Sequence, residues 1–328
     1  MKSSSAVNSR ARLPGRENKL IAGVDIGGSN LRVALADLQG NIVGRWSAST
    51  KATSSPDMVV AQIERGIDQL LSESSRSRRS LLSVAAGAPG VTDSQAGVVL
   101  ATSYLKGWKD VPLRELLESA LGVPASIEND VRMAALGEHW KGAARGVDDF
   151  VFLAIGTGIA AGVFANGKLI HGANWTAGEV GYMCVPDAAE EPAKSSQPGA
   201  LESIIGGDGI RRQWSQAIAN SRKLQDLTAT EIFARASSED TLARTVLEHS
   251  ARLLAYAVYN ISLVLNSALF VLGGGIGVSI PLCEATKKIL EKYKEPSSPK
   301  LVISSLGTDA QMIGAIRLAL TTAKKPKR

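Results

Sequence analysis

"VDIGGSNLRVALADLQGNIVG", residues 24–44, sets a carboxylate, two glycines and two small polar residues between two apolar runs. A hairpin that only reverses the chain turns on an Asn-Gly or Asp-Gly pair and needs no acid before it. Gly27 and Gly28 instead let backbone N–H groups crowd around an anion such as a phosphate. Ser29 and Asn30 add hydrogen-bonding groups, and Asp25 is placed to face a hydrated Mg2+. A single match of this kind decides little.

The pattern returns. "FLAIGTGIAAGVFANGKLIHG", residues 152–172, is again strand, glycine turn, strand, tight Asn-Gly turn, strand. A third glycine turn, "VLGGGIG" at 271–277, follows the apolar stretch "YAVYNISLVLNSALFVL", where a strand hands over to a helix. Such repetition predicts a duplicated unit with a ligand between the copies. The commoner nucleotide signatures are absent. No G-x-x-x-x-G-K-[ST] occurs, and "GGGIGV" lacks the third glycine of the dinucleotide fingerprint.

Working outward, apolar alternation predicts strands at 20–26, 31–38 and 42–49, and 3.6-residue spacing predicts a helix over 55–74 started by Ser55 or Asp57. Strands follow at 81–90, 96–103 and 124–130, with a helix over 111–122 closed by Gly122 and another over 131–144. Residues 208–256 read as mainly helical, and 309–325 as an amphipathic helix. At 328 residues the chain exceeds what one core supports, so two α/β domains are expected, 19–122 and 123–308. The helix at 309–324 is expected to return to the first domain, residues 1–18 to form a disordered basic extension, and 186–199 a surface loop.

Hydrophobic residues make up 45% and charged residues 21%, as in a soluble globular enzyme, and no run of 18 apolar residues is present to span a membrane. The start, "MKSSSAVNSRARLPGREN", lacks the apolar centre of a secretory signal. The net charge of +6 sits largely at the ends, in Lys2, Arg10, Arg12, Arg16 and the terminal "KKPKR". No interior stripe interleaves Lys or Arg with aromatics, so the tails read as solvated and no nucleic-acid partner is expected. Cys184 and Cys283, far apart, make neither a disulfide framework nor a cysteine zinc site, which fits a reducing cytoplasm.

Chemistry concentrates in carboxylates at strand ends. In "IEND", residues 127–130, Asp130 is either the N-cap of the following helix or an acid facing a cleft, where it accepts a proton from a substrate hydroxyl while Asn129 orients neighbouring hydroxyls. The two are compatible, because a helix N-terminus keeps an acid ionised. Glu179 in "TAGEVGY" and Glu202 in "GALESIIGG" are a loop acid and a helix-start acid, each able to hold sugar hydroxyls through two hydrogen bonds in fixed geometry.

These motifs in this order resemble the ROK family (repressor, open reading frame, kinase), and within it the bacterial glucokinases, over nearly the whole chain after residue 19. "DIGGSNLR" resembles the family's first phosphate motif and "IGTGIAAGVFANGKLIHG" its second phosphate turn and hairpin. "ENDVRMAALGE" resembles its catalytic segment, "AGEVGY" its sugar-binding signature and "VLGGGI" its adenosine turn. The resemblance implies an actin-like, ribonuclease-H-like duplicated fold and an ATP-dependent hexose kinase using Mg2+. By it, Asp130 is the catalytic base, and Asn129, Glu179 and Glu202 grip the sugar, with Gly90, Ser103 and Tyr182 completing the pocket. Gly28, Ser29, Asn30, Thr157, Gly158 and Gly274 line the ATP site, and Asp25 faces the metal through water.

The chain departs from the family at one place. Many members have His where Tyr182 stands, followed by cysteines that bind zinc, whereas Cys184 is alone here and tetrahedral zinc needs four ligands. No zinc is therefore expected, and transfer of the sugar preference is weakened. Glucose is the expected substrate, with fructose, mannose, N-acetylmannosamine and N-acetylglucosamine as alternatives. A homodimer is implied. The family's repressors carry a helix-turn-helix ahead of the kinase-like fold, and about 19 residues before the first strand are too few for one.

Overall fold

Residues 24–44 fold into the centre and edge of a sheet. Leu20–Ile26 (β1) is buried along its whole length and pairs antiparallel with Asn30–Asp37 (β2), which sets Asp25 opposite Arg32. Ile42–Ser49 (β3) pairs antiparallel with β2 and alternates half-buried and exposed residues, as an edge strand does. A computed structural model supplies these coordinates and describes residues 19–50, 55–188, 197–218, 226–238, 240–293 and 296–324. The extension expected at 1–18, the basic C-terminal residues 325–328 and the middle of the 186–199 loop lie outside the described residues.

Pro56–Glu73 (α1) begins where the sequence predicts, with Ser55 accepting a hydrogen bond from the Met58 N–H. Its Ile63, Ile67 and Leu70 face the sheet core, each contributing about 1.5–3 kcal/mol by burial. The chain then returns as Leu81–Ala88 (β4), parallel to β1. Val91–Asp93 (β5), Val98–Ala101 (β6) and Lys109–Val111 (β7) form a small antiparallel sheet of their own. Leu113–Leu121 (α2) stops at Gly122, in the left-handed conformation that ends many helices. Ala125–Asn129 (β8) runs parallel to β4 and completes the sheet in the order β3-β2-β1-β4-β8.

The second half repeats the first. After Asp130–Lys141 (α3), Phe150–Ile155 (β9), Ile159–Ala165 (β10) and Lys168–Leu169 (β11) form an antiparallel meander turned on Asn166-Gly167. Both turn residues have positive φ, 51° and 68°, as the tight hairpin turn requires. Four helices follow, Ala200–Ile205 (α4), Gly207–Ile218 (α5), Ala229–Ala236 (α6) and Thr241–Leu265 (α7). Leu269–Gly273 (β12) enters parallel to β9, and beyond Gly274–Gly277 (α8) and Ile280–Leu290 (α9), Lys300–Ile303 (β13) lies parallel to β12. The order is β11-β10-β9-β12-β13, the same in sequence and sense as the first sheet. This is the actin-like, ribonuclease-H-like duplication.

Ala310–Ala323 (α10) closes the chain and packs Met312, Ile316, Ala319 and Leu320 on Ile21, Ala34 and Ala85 of the first sheet. At Gly137 and Gly314 its backbone meets that of α3 directly. A β-carbon on Gly314 would lie 1.8 Å from the Met133 carbonyl oxygen, and one on Gly137 would lie 2.1 Å from that of Ala310. Because β8 belongs to the first sheet, a boundary at 122/123 would divide that sheet. We place the division at the β8–α3 junction instead, which keeps both sheets whole.

Candidate active site

The first turn leaves β1 at Asp25 and closes with the Gly27 N–H donating to the Asn30 carbonyl at 2.9 Å. Ser29 and Asn30 are exposed on it. Asp25 is buried, and its Oδ2 accepts from the Arg32 guanidinium, at 2.8 Å from Nε and also from the second nitrogen. Arg32 goes on to the Thr308 carbonyl at 2.9 Å and Gln311 Oε1 at 3.1 Å, tying the turn to the start of α10. Burial raises the Asp25 pKa more than the arginine lowers it.

Asp130 is the first residue of α3, and the cap belongs to its neighbour. Asn129 Oδ1 accepts from the Val131 and Arg132 N–H groups, both at 3.0 Å, while its Nδ2 donates to the Gly90 carbonyl at 2.9 Å. The capping alternative for Asp130 is thereby overturned. One strand-end amide satisfies the helix start and leaves the acid free to face the cleft, although Asp130 Oδ1 also accepts from the Val131 N–H at 2.8 Å. The expectation that the helix terminus keeps Asp130 ionised is corrected as well. Burial, then repulsion from Asp25, pushes its pKa up to about 7; the Val131 N–H opposes this and Glu179 adds to it.

Behind Asp130 lies a polar cluster. Glu128, buried in β8, accepts at Oε1 from Arg132 Nε at 2.7 Å, Ser94 Oγ at 2.8 Å and the Asn129 N–H at 2.8 Å. Its Oε2 lies 2.7 Å from His171 Nε2. Burial raises the Glu128 carboxyl, but His171 and Arg132 hold it below its usual range. Arg132, also buried, donates to the Trp175 and Thr92 carbonyls, both at 2.9 Å. The cluster therefore joins β8, α3, the small sheet and the 171–175 loop directly beneath Asn129 and Asp130.

Glu202, near the start of α4, accepts at Oε2 from the Ile159 N–H at 2.8 Å, beside the second glycine turn. Glu179 is exposed on the cleft wall; partial withdrawal from water raises its pKa, Arg132 lowers it and Glu202 raises it. Tyr182 is raised by partial burial and then by these two glutamates, and its hydroxyl lies 3.4 Å from the Gln197 carbonyl. Asp130, Glu179, Glu202 and Tyr182 thus share one electrostatic neighbourhood.

The second turn closes with the Gly156 N–H donating to the Gly158 carbonyl at 2.9 Å and carries exposed Thr157. The Gly207 N–H at the head of α5 donates to the Gly156 carbonyl, also at 2.9 Å. Gly274 of the third turn has φ 78°, and a β-carbon there would meet the Ile155 carbonyl oxygen at 2.4 Å. Second turn, α5 start and third turn therefore converge. Ser103 stands apart. It is exposed on the 102–108 loop, where it helps line a cavity of about 380 Å3, and makes no hydrogen bond among the described residues. A separate cavity of about 1080 Å3, lined by Gln213, His249, Arg252 and Tyr256, contains none of these glycine turns or cleft acids.

Sequence reasoning assigned nothing to Arg32, Tyr104, Glu128, Arg132 or His171. The signal for one of them was present: Glu128 follows Ile127 near the end of a short strand, and an acid buried there needs a partner. His171 gave none, lying 43 residues away from it in sequence.

The ROK family profile matches residues 21–322. A glucokinase of Halalkalibacterium halodurans is 32% identical over 305 residues, covering 89% of this chain and 92% of that protein. A beta-glucoside kinase of Listeria innocua is 31% identical, covering 78% and 82%. Among solved structures, a ROK family glucokinase from Streptomyces griseus in complex with glucose and AMPPNP superimposes with a TM-score of 0.76 at 23% identity, over 92% of this chain and 99% of that one. A ROK family transcriptional regulator, homolog of the E. coli MLC protein, superimposes with 0.81 at 24% identity, over 94% and 80%. The repeated strand order and the profile over nearly the full length agree: the chain belongs to the ROK family, whose sugar kinases it resembles in sequence.

Proposed function

We propose that this chain is an ATP-dependent hexose kinase acting in the cytoplasm as a homodimer, with glucose as its preferred acceptor. The observation that carries the reading is Asp130, a carboxyl with a pKa near 7 at the head of α3, facing a cleft walled by Glu179 and Glu202. A general base works best when its pKa lies near the working pH, and a sugar hydroxyl needs one to become a competent nucleophile. Asn129, Glu179 and Glu202 hold the sugar hydroxyls, and Gly90 and Tyr182 border them. Gly28, Ser29, Asn30, Thr157, Gly158 and Gly274 receive the nucleotide, their backbone N–H groups matched to phosphate oxygens.

The residues present fit a divalent cation. Burial raises Asp25 despite Arg32, and burial together with the Asp25 charge raises Asp130, so the site is short of positive charge even with Arg32 in place. Arg32 occupies Asp25 Oδ2, which leaves Oδ1 to hold a hydrated Mg2+. When bound, the ion offsets charge on the transferring phosphoryl group. Among the described residues no helix is long and apolar enough to cross a membrane.

Release of ADP across a panel of hexoses and amino sugars tests the reading. Glucose is expected to turn over faster than any N-acetylated hexosamine. Faster turnover of an amino sugar would move the substrate, and sugar binding without turnover would favour a sensing role.

A further inference from the structure

Tyr104 belongs to the loop between β6 and β7, yet it touches both glycine turns. A β-carbon on Gly28 would lie 3.3 Å from the Tyr104 carbonyl oxygen and 3.4 Å from its Cβ. At the other end of the ring, a β-carbon on Gly158 would lie 2.9 Å from the Tyr104 hydroxyl and 2.7 Å from Glu202 Oε2. Phenol and carboxylate therefore share the space beside Gly158, and the ring spans from the first turn to the second. Its hydroxyl is held above its usual pKa by partial burial and by Glu202, Asp130 and Glu179 in turn, so it stays a neutral donor among three carboxyls. The side chain remains 44% exposed, so its other face is open to a ligand.

We propose that Tyr104 is a sugar-contacting specificity residue, its ring limiting the size of the substituent that the site accepts beside Glu202. The inference rests on the sugar-kinase reading above. A neutral phenol next to a carboxylate can donate to a sugar oxygen that the carboxylate cannot serve, since an ionised carboxylate only accepts. The rigid ring also fills volume that an N-acetyl group or a glycosidic substituent would need, and an aromatic ring gives way little.

The test compares wild type with Tyr104→Phe and Tyr104→Ala, using calorimetric binding of glucose, N-acetylglucosamine and methyl β-glucoside without nucleotide, and then KM for each substrate. Loss of the ring is expected to weaken glucose binding about tenfold, the effect of a lost hydrogen bond with its packing. Tyr104→Ala should narrow the preference for glucose over the two substituted sugars by about the same factor, with KM for ATP changing less than KM for sugar. Tyr104→Phe should keep the preference and lose part of the affinity. Unchanged sugar binding in both variants, or a KM for ATP that rises as much as that for sugar, would overturn the proposal. A wild-type chain that binds sugars yet phosphorylates none would remove the kinase reading and leave this test intact.

Discussion

At Asp130 one substitution should move rate and stability in opposite directions. If it is the base, Asp130→Asn keeps shape and much of the hydrogen bonding but cannot accept the proton, so kcat should fall by roughly 10²-fold or more. Steady-state kinetics check this, and a near-normal kcat would mean the base is misassigned. Stability should move the other way. The folded carboxyl titrates near 7 and the unfolded one near 3.8, so folding is penalised from about pH 4 upward and fully so above pH 7. Asparagine carries no such penalty. Its advantage in thermal melts should therefore be larger at pH 8 than at pH 5, with about 4 kcal/mol as the ceiling that three pKa units set. The same titration predicts an acid limb in kcat/KM at or below pH 7, a bound cation moving it lower, and loss of that limb in the variant.

The elements show where the sequence stops being legible. The meanders at 20–49 and 150–169 could be read directly, because alternation and turn chemistry are local properties of the chain. The neighbour of β8 could not, since parallel pairing with β4 joins strands separated by a whole helix. Asn129 and Asp130 are adjacent and both cap well, so spacing alone could not say which one serves the helix. Glu128 and Arg132 pair across a strand–helix junction, where no single periodicity applies. That pair is expected to matter. Arg132→Ala leaves a buried carboxylate without its cation and should cost about 3–5 kcal/mol in urea unfolding, whereas loss of the more exposed pair that Arg78 makes with Glu64 of α1 would cost under about 1 kcal/mol. Gly314→Ala is a sharper trial, because helix propensity alone predicts a gain of about 1 kcal/mol at that position. With the Met133 carbonyl 1.8 Å from the new carbon, a loss of several kcal/mol is expected instead. A gain would mean that the helices do not approach so closely.

At the scale of the molecule, two sheets share one strand order, and most of the proposed site residues come from the ends of their strands or the turns that follow. No zinc is expected in that arrangement. Between residues 183 and 202 Cys184 is the sole cysteine and no histidine occurs, so elemental analysis of active protein should find far less than one ion per chain. Stoichiometric zinc lost together with activity on chelation would contradict this.

The crossing of α3 and α10 has a mechanical consequence. Helices that meet backbone to backbone at Gly137 and Gly314 have no room for a side chain there, so the contact is expected to resist compression and sliding and to leave turning as the freedom. If the cleft closes on a hexose, the motion should pivot there, and spin labels placed across the cleft should approach one another while a pair bridging α3 and α10 holds its distance. Asp130 stands seven residues from Gly137, about 10 Å along the same helix. On a pivot at that point the base is expected to move little, and the walls of the cleft to travel to meet it.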